Sequence, residues 1–261
     1  MTAPSIRAVL FDMGGTLEEL YYDDAIRREA TRGLQKLLAE RGLDPGLALP
    51  ELQATVLAGM KKYQVWREKS EVELPPATVW SEYVLPDHGL SRERLREAAE
   101  EVTSYYETHF QVRRLRPEAP AVVEVLHRQG FRLAIISNII SRTLVPCKLA
   151  EYGIAHLFDP VVTSSGLGWR KPNTRIFAEA ARLLHLPPAA CAYVGDTVSR
   201  DVIGARRAGY GLVIQIKSFL TDITDGETDA GSLPAGELVP DAVIEDLMQV
   251  IDLVSSDGVT R

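Results

Sequence analysis

Six short apolar runs that do not alternate with polar residues constrain this chain more than any other feature. They span residues 7–12, 132–137, 160–163, 192–196, 212–216 and 242–244. A stretch such as Arg-Leu-Ala-Ile-Ile-Ser at 132–137 has no polar face, so it suits a strand covered on both sides, as in a parallel sheet. Helical patterns fill most of the intervals. Residues 122–126 run to Gly130, 176–184 follow Asn173, and 202–208 run to Gly209, with the glycines placed as helix terminators. Strand–helix alternation of this kind predicts an α/β fold with a doubly wound parallel sheet. Such sheets bind ligands at the carboxyl ends of their strands. Asp12, Ser137 and Asp196 each stand at a strand end of that kind.

The strand signal vanishes between Leu17 and Arg116. There Leu52, Val56, Met60, Tyr63 and Trp66 step by three or four, as do Leu95, Ala98, Val102 and Tyr106. Asp23 or Asp24 and Ser91 are expected helix caps, and Pro75-Pro76 and Pro86 divide the segment into three or four helices. The expected organisation is a core of residues 1–17 and 117–261, with 18–116 inserted as an all-helical cap domain. The inserted segment holds six of the nine tyrosines and two of the three tryptophans, expected chiefly as its own core, with one or two walling a pocket. Residues 221–240, rich in Gly, Asp, Thr and Pro, are expected to form a long mobile loop. A short strand and a docking helix are expected over 244–253.

Composition narrows the function. A net charge of -7 disfavours general nucleic-acid binding, which depends on basic surface. Cys147 and Cys191 share no metal-type spacing, and Cys191 opens an apolar run where a buried free thiol is the expectation. No run approaches the ~20 apolar residues of a membrane span, and no secretory pattern opens the chain, so a cytoplasmic location is expected.

The chemistry concentrates at the strand ends. Phe11-Asp12-Met13-Gly14-Gly15-Thr16-Leu17 places a single carboxylate after the first strand, then two glycines that admit close backbone approach and a hydroxyl, Thr16, available to a substrate. Ser137-Asn138 offers a hydroxyl and an amide to phosphate. Lys171, just ahead of a helix, can pair with phosphate charge. Gly195-Asp196-Thr197 with Asp201 gives two more acids, a donor set for a hard, oxygen-seeking cation such as Mg²⁺. Asp12, Asp196 and a backbone carbonyl near Gly14 would supply the protein's share of that shell.

This ordered set resembles the haloacid dehalogenase-like hydrolase superfamily over nearly the whole chain. Asp12-Met13-Gly14-Gly15-Thr16 matches the first motif, Ser137 the second, Lys171 the third, and Gly195-Asp196 with Asp201 the fourth. The insertion between the first two motifs looks like the family's helical C1 cap. The resemblance implies a Rossmann-like core, Mg²⁺ dependence and an aspartyl-phosphate formed at Asp12, and hydrolysis of a small phosphorylated molecule is the leading expectation. It also implies that Ser137 and Lys171 hold the transferring group, that Asp196 ligates the metal, and that Asp201 supports the acidic cluster.

The match breaks at one position. Phosphatases of the family carry a second Asp where Gly14 stands, which protonates the leaving group and then activates water; such help is worth ~10²–10⁴ in rate. A slow phosphatase biased toward aryl phosphates, acyl phosphates and anhydrides is therefore expected, with Glu18, Glu19, Asp23 and Asp24 as nearby substitutes to consider. Dehalogenation is disfavoured by the presence of Asp196 and Asp201. Two alternatives stay open: a phosphonatase using Lys61, Lys62 or Lys69 of the cap as a Schiff base, and a phosphate-binding or regulatory protein with impaired turnover.

Overall fold

The computed structural model describes residues 5–86, 88–218 and 239–256. The expected loop at 221–240 falls almost entirely outside the described residues. Six strands, β1 (Ala8–Phe11), β4 (Arg132–Ser137), β5 (Phe158–Thr163), β6 (Cys191–Gly195), β7 (Leu212–Ile216) and β8 (Ala242–Ile244), form one parallel sheet. Their spatial order is β5-β4-β1-β6-β7-β8, so the chain leaves β1 toward one edge and later builds the other half from β6. β1 is therefore the switch point where a ligand crevice opens.

All four residues of β1 are fully buried, with successive side chains serving opposite faces. Val9 and Phe11 join Val123, Leu126, Ile135 and Val145 on one side. Ala8 and Leu10 join Ile136, Phe177, Tyr193 and Val213 on the other. Helices Ala119–Arg128 and Leu144–Glu151 carry residues of the first cluster, and Thr174–Leu183 of the second. Double coverage explains why these strands read as continuous apolar runs. The closing strand and the helix Gln249–Ser256 form as expected.

Residues 24–110 build a third apolar cluster from helices Asp24–Glu40, Leu49–Ser70 and Arg92–His109. Asp23 caps the first of these through Ile26 N–H, and Ser91 caps the third through Arg94 N–H. Between them, Pro76 opens a short helix that passes into a π-helical turn, Val79–Val84. Trp80, Tyr63, Leu34 and Val102 lie at its centre, so most of the aromatics are core, as anticipated.

The segment is not helical at its ends. β2 (Glu18–Tyr21) and β3 (Val112–Leu115) pair as an antiparallel ribbon where the chain leaves and rejoins the sheet. Each strand is four residues long, and both carry two charged side chains, too little apolar pattern to register in the sequence. One of those charges is deeply buried. Glu18 accepts from Arg113 Nε at 2.9 Å and from the Tyr152 hydroxyl at 2.8 Å, both groups lying at the base of the helical segment.

Candidate active site

Asp12 is the first residue past β1, and its N–H bonds Val194 O of β6 at 2.9 Å. Because Phe11 is in register with Val194 on one side and Ile135 on the other, the ends of β6 and β4 must deliver Asp196 and Ser137 beside it. The turn after Asp12 then closes tightly, with Glu18 N–H on Met13 O at 2.9 Å and Gly15 N–H on Glu18 O at 2.8 Å. Gly15 holds φ +94, and a Cβ there would stand 2.1 Å from Asp196 Oδ2. Only glycine lets the loop and that carboxylate coexist.

Lys171 ties the centre together. Its ammonium contacts Asp12 Oδ1 at 2.7 Å, Asp201 Oδ1 at 2.7 Å and the Tyr193 hydroxyl at 2.9 Å, which engages all three of its donors. Burial alone would push Lys171 down, but the facing Asp12 and Asp201 carboxylates hold it above the ordinary lysine value. Burial raises Asp201 too, yet Lys171 and the Thr197 hydroxyl and N–H overcome it and bring Asp201 to about 2. Asp12 is raised by burial against the pull of Lys171, with Asp201 adding to the rise. Asp196 is pushed up to about 8, by burial first and then by Asp201 and Asp12.

One oxygen each of Asp12, Asp196 and Asp201 lies within 4.8 Å of the others, a set of hard anionic donors in one place. Gly14 lines the same cleft as Asp12 and Asp201, and its carbonyl accepts no hydrogen bond among the described residues. A cluster in which burial disfavours the charge of Asp12 and Asp196 fits a divalent metal of the Mg²⁺ type. The three do not offer it equally. Both oxygens of Asp201 already accept from Lys171, Tyr193 and Thr197, so Asp201 is held in place as the anchor of Lys171.

The remaining candidates divide. Ser137 is buried at the end of β4 and lines the cleft with Asp12, and its hydroxyl makes no hydrogen bond among the described residues. Asn138 also lines it, but its amide donates to Lys171 O at 3.0 Å and accepts from Lys171 N–H at 2.8 Å. Its expected role as a phosphate donor gives way to that of a clamp on the Lys171 loop. Thr16 does not line the cleft at all: the tight turn folds it fully inside, where its hydroxyl has no partner among the described residues. None of the acids considered as substitutes for the one missing at position 14 reaches the cleft. Glu18 is locked to Arg113 and Tyr152, Asp23 caps a helix, and Glu19 and Asp24 are exposed. Lys61, Lys62 and Lys69 are exposed as well, which removes the desolvation a Schiff-base lysine requires.

Several partners were invisible in the sequence. Ser218 donates to Asp196 Oδ2 at 2.6 Å, and Gln215 to Asp196 O at 3.1 Å. Arg113 brings Nη2 to within 3.2 Å of where a Cβ on Gly14 would lie, so a guanidinium borders the slot of the absent carboxylate. Arg170 pairs with buried Glu73, which also accepts from Tyr63 and Ser164, clamping the Lys171 loop from the helical side. The cleft lined by Asp12, Arg113, Ser137, Arg170 and Lys171 measures about 730 Å³ and carries more cations than acids on its walls, against the sign of the whole chain.

Comparison with known proteins agrees with this geometry. The chain is 30% identical over 249 residues to the glyceraldehyde 3-phosphate phosphatase of Methanopyrus kandleri, covering 95% of this chain and 97% of that protein. It is 28% identical over 256 residues to a phosphoglycolate phosphatase of Vibrio vulnificus, covering 97% and 98%. Among solved structures, a 2-haloacid dehalogenase from Pseudomonas syringae shares the fold with a TM-score of 0.62 at 21% identity, over 96% of this chain and 99% of that one. The family model for haloacid dehalogenase-like hydrolases matches residues 6–209. The chain therefore belongs to the haloacid dehalogenase-like hydrolases.

Proposed function

We propose that this hydrolase is a Mg²⁺-dependent phosphatase of small phosphorylated metabolites, of the C1-capped branch, with residues 1–17 and 117–261 as catalytic core and 18–116 as cap. The observation that carries the reading is the convergence of Asp12, Lys171, Asp196 and Asp201 at the sheet's switch point. Similarity to phosphatases acting on glyceraldehyde 3-phosphate and phosphoglycolate supports a small phosphate ester as substrate.

Asp12 is the nucleophile. One of its oxygens is steered by Lys171, leaving the other to attack phosphorus while the P–O bond to the leaving group breaks. Lys171 and the Ser137 hydroxyl face the charge of the transferring group. Mg²⁺, held by Asp12, Asp196 and the Gly14 carbonyl, would supply the countercharge for the phosphoryl oxygens. Water then cleaves the aspartyl-phosphate at phosphorus, restoring Asp12 and releasing phosphate. With glycine at position 14 and no other acid from the turn reaching the cleft, the departing oxygen receives little protonation. Esters of acidic alcohols, acyl phosphates and anhydrides are the favoured substrates.

A panel of phosphate esters graded by leaving-group acidity, assayed with and without Mg²⁺, tests the reading. Turnover that needs the metal, disappears in Asp12→Asn and rises with leaving-group acidity is expected. Equal rates for the parent and Asp12→Asn would overturn it. The glycine at position 14 also favours a second reading, a phosphate-binding protein with impaired turnover; binding of phosphate with Mg²⁺ but no product over hours would select it.

A further inference from the structure

The cleft has a second cationic wall that the phosphoryl chemistry leaves unused. Arg27 and Arg67, from two different helices of the inserted segment, line the same cleft as Asp12, and Tyr106 from a third lines it beside them. Among the described residues neither arginine has an ion-pair partner, and the Nε of each is buried without a hydrogen bond. Other buried cations of the site are matched: Lys171 by Asp12 and Asp201, Arg113 by Glu18, Arg170 by Glu73.

What holds the two arginines is ring stacking. The Arg27 guanidinium lies 4.0 Å from the centroid of Tyr22, and that of Arg67 5.3 Å from the centroid of Tyr63. Stacking fixes the plane of a guanidinium while leaving its N–H edge to an acceptor, and a carboxylate or phosphate fits that edge in bidentate fashion. The Tyr106 hydroxyl makes no hydrogen bond among the described residues, and burial pushes it up to about 12 against the pull of Arg67 and Arg27. It is a donor standing next to both cations. The nearby buried acid, Glu107, acts on Arg67 through space but forms no ion pair with either arginine: its two oxygens accept from Ile140 N–H and Ser141 N–H at 2.9 and 2.8 Å. Both arginines are half-buried with an enclosed, unbonded Nε, and burial disfavours the Arg67 charge, so the arrangement suits a ligand that brings an ion-pair partner to them.

We infer that Arg27, Arg67 and Tyr106 form a subsite for a second anionic group, and that the substrates are phosphate esters whose organic part carries a carboxylate or a further phosphate. The inference rests on the phosphatase reading for the position of the reacting phosphate at Asp12, and it adds the class of the leaving group.

Calorimetry with non-hydrolysable probes separates the two. Phosphonoacetate, 3-phosphonopropionate and 4-phosphonobutyrate are titrated into the full chain with Mg²⁺, each against an alkylphosphonate of equal length. In at least one pair the member carrying the carboxylate should bind roughly 10- to 100-fold tighter than the alkylphosphonate that lacks it, the range expected for charge-assisted hydrogen bonds. Arg67→Gln and Arg27→Gln, checked for an unchanged melting profile, should bring that ratio to within about threefold. A parent that binds every pair equally overturns the subsite, as does a preference that survives both substitutions. Turnover of 4-nitrophenyl phosphate, run in parallel and compared with Asp12→Asn, reports on the phosphatase reading separately. Its failure alongside a persistent anion preference would leave the subsite in a binding protein.

Discussion

Restoring an acid at position 14 should convert a leaving-group-limited enzyme into a more general one, and the structure sets how far. Gly14 does not require a positive φ, so an L-residue is tolerated by the backbone there. Its Cβ would meet Leu20 Cδ1 at 3.0 Å and Arg113 Nη2 at 3.2 Å, both far ends of side chains that can yield by a few tenths of an ångström. The new carboxylate of Gly14→Asp would then lie beside the Arg113 guanidinium. A cation at that range lowers a carboxyl pKa by about 1–3 units and weakens it as an acid. The gain should consequently fall at the low end of the general acid–base range, about 10²-fold in kcat/KM for alkyl phosphates, or about 3 kcal/mol of transition-state stabilisation. Aryl phosphates, whose leaving groups need no proton, should change by less than about tenfold. The assay is the slope of log kcat/KM against leaving-group pKa, which should flatten in the variant. A folded Gly14→Asp with the parent's slope would refute the argument that the missing acid limits the reaction.

Three further outcomes follow from the buried charges. Asp196 at about 8 holds a proton at neutral pH in the metal-free protein, so Mg²⁺ binding should release about one proton at pH 7 and tighten up to about pH 8, measurable by calorimetry in buffers of differing ionisation enthalpy. A carboxyl raised on folding binds protons preferentially in the folded state, so metal-free stability should fall as pH climbs from about 4 to 8; Asp196→Asn should flatten that profile in urea melts, and a parent flat over this window would contradict the assignment. Glu18→Ala leaves Arg113 buried without its counterion and should destabilise the chain by about 3–5 kcal/mol in denaturant melts, whereas a loss below about 1 kcal/mol would show that the pair is not structurally important.

The parallel sheet was legible because burial on both faces leaves unbroken apolar runs, and four of its strands, β1, β4, β6 and β7, follow that rule directly. The β2–β3 ribbon was not, because a four-residue strand in which two residues are charged, one of them buried, looks like the start of a helix or a loop. At the site, Asp12 and Asp196 stood out through their places at strand ends beside glycines, Lys171 through its place ahead of a helix and Asp201 through its spacing from Asp196, and the fold brings all four together. Asn138 and Thr16 showed the limit of that reasoning: residue type suggested phosphate donors, but only the fold reveals that one amide is engaged by the Lys171 backbone and one hydroxyl is enclosed. Arg27, Arg67 and Arg113 were hidden differently. Each is one basic residue among many in a charged segment, and nothing in its spacing tells a solvated arginine from one turned into a cleft.

The central claim is that Asp12 itself accepts the phosphoryl group. In single turnover with 4-nitrophenyl phosphate labelled at phosphorus, acid quench should trap label that is released by hydroxylamine and maps to the peptide containing Asp12, with none in Asp12→Asn. Steady Mg²⁺-dependent turnover with no label on that peptide at any quench time, or with the label on another residue, would contradict it.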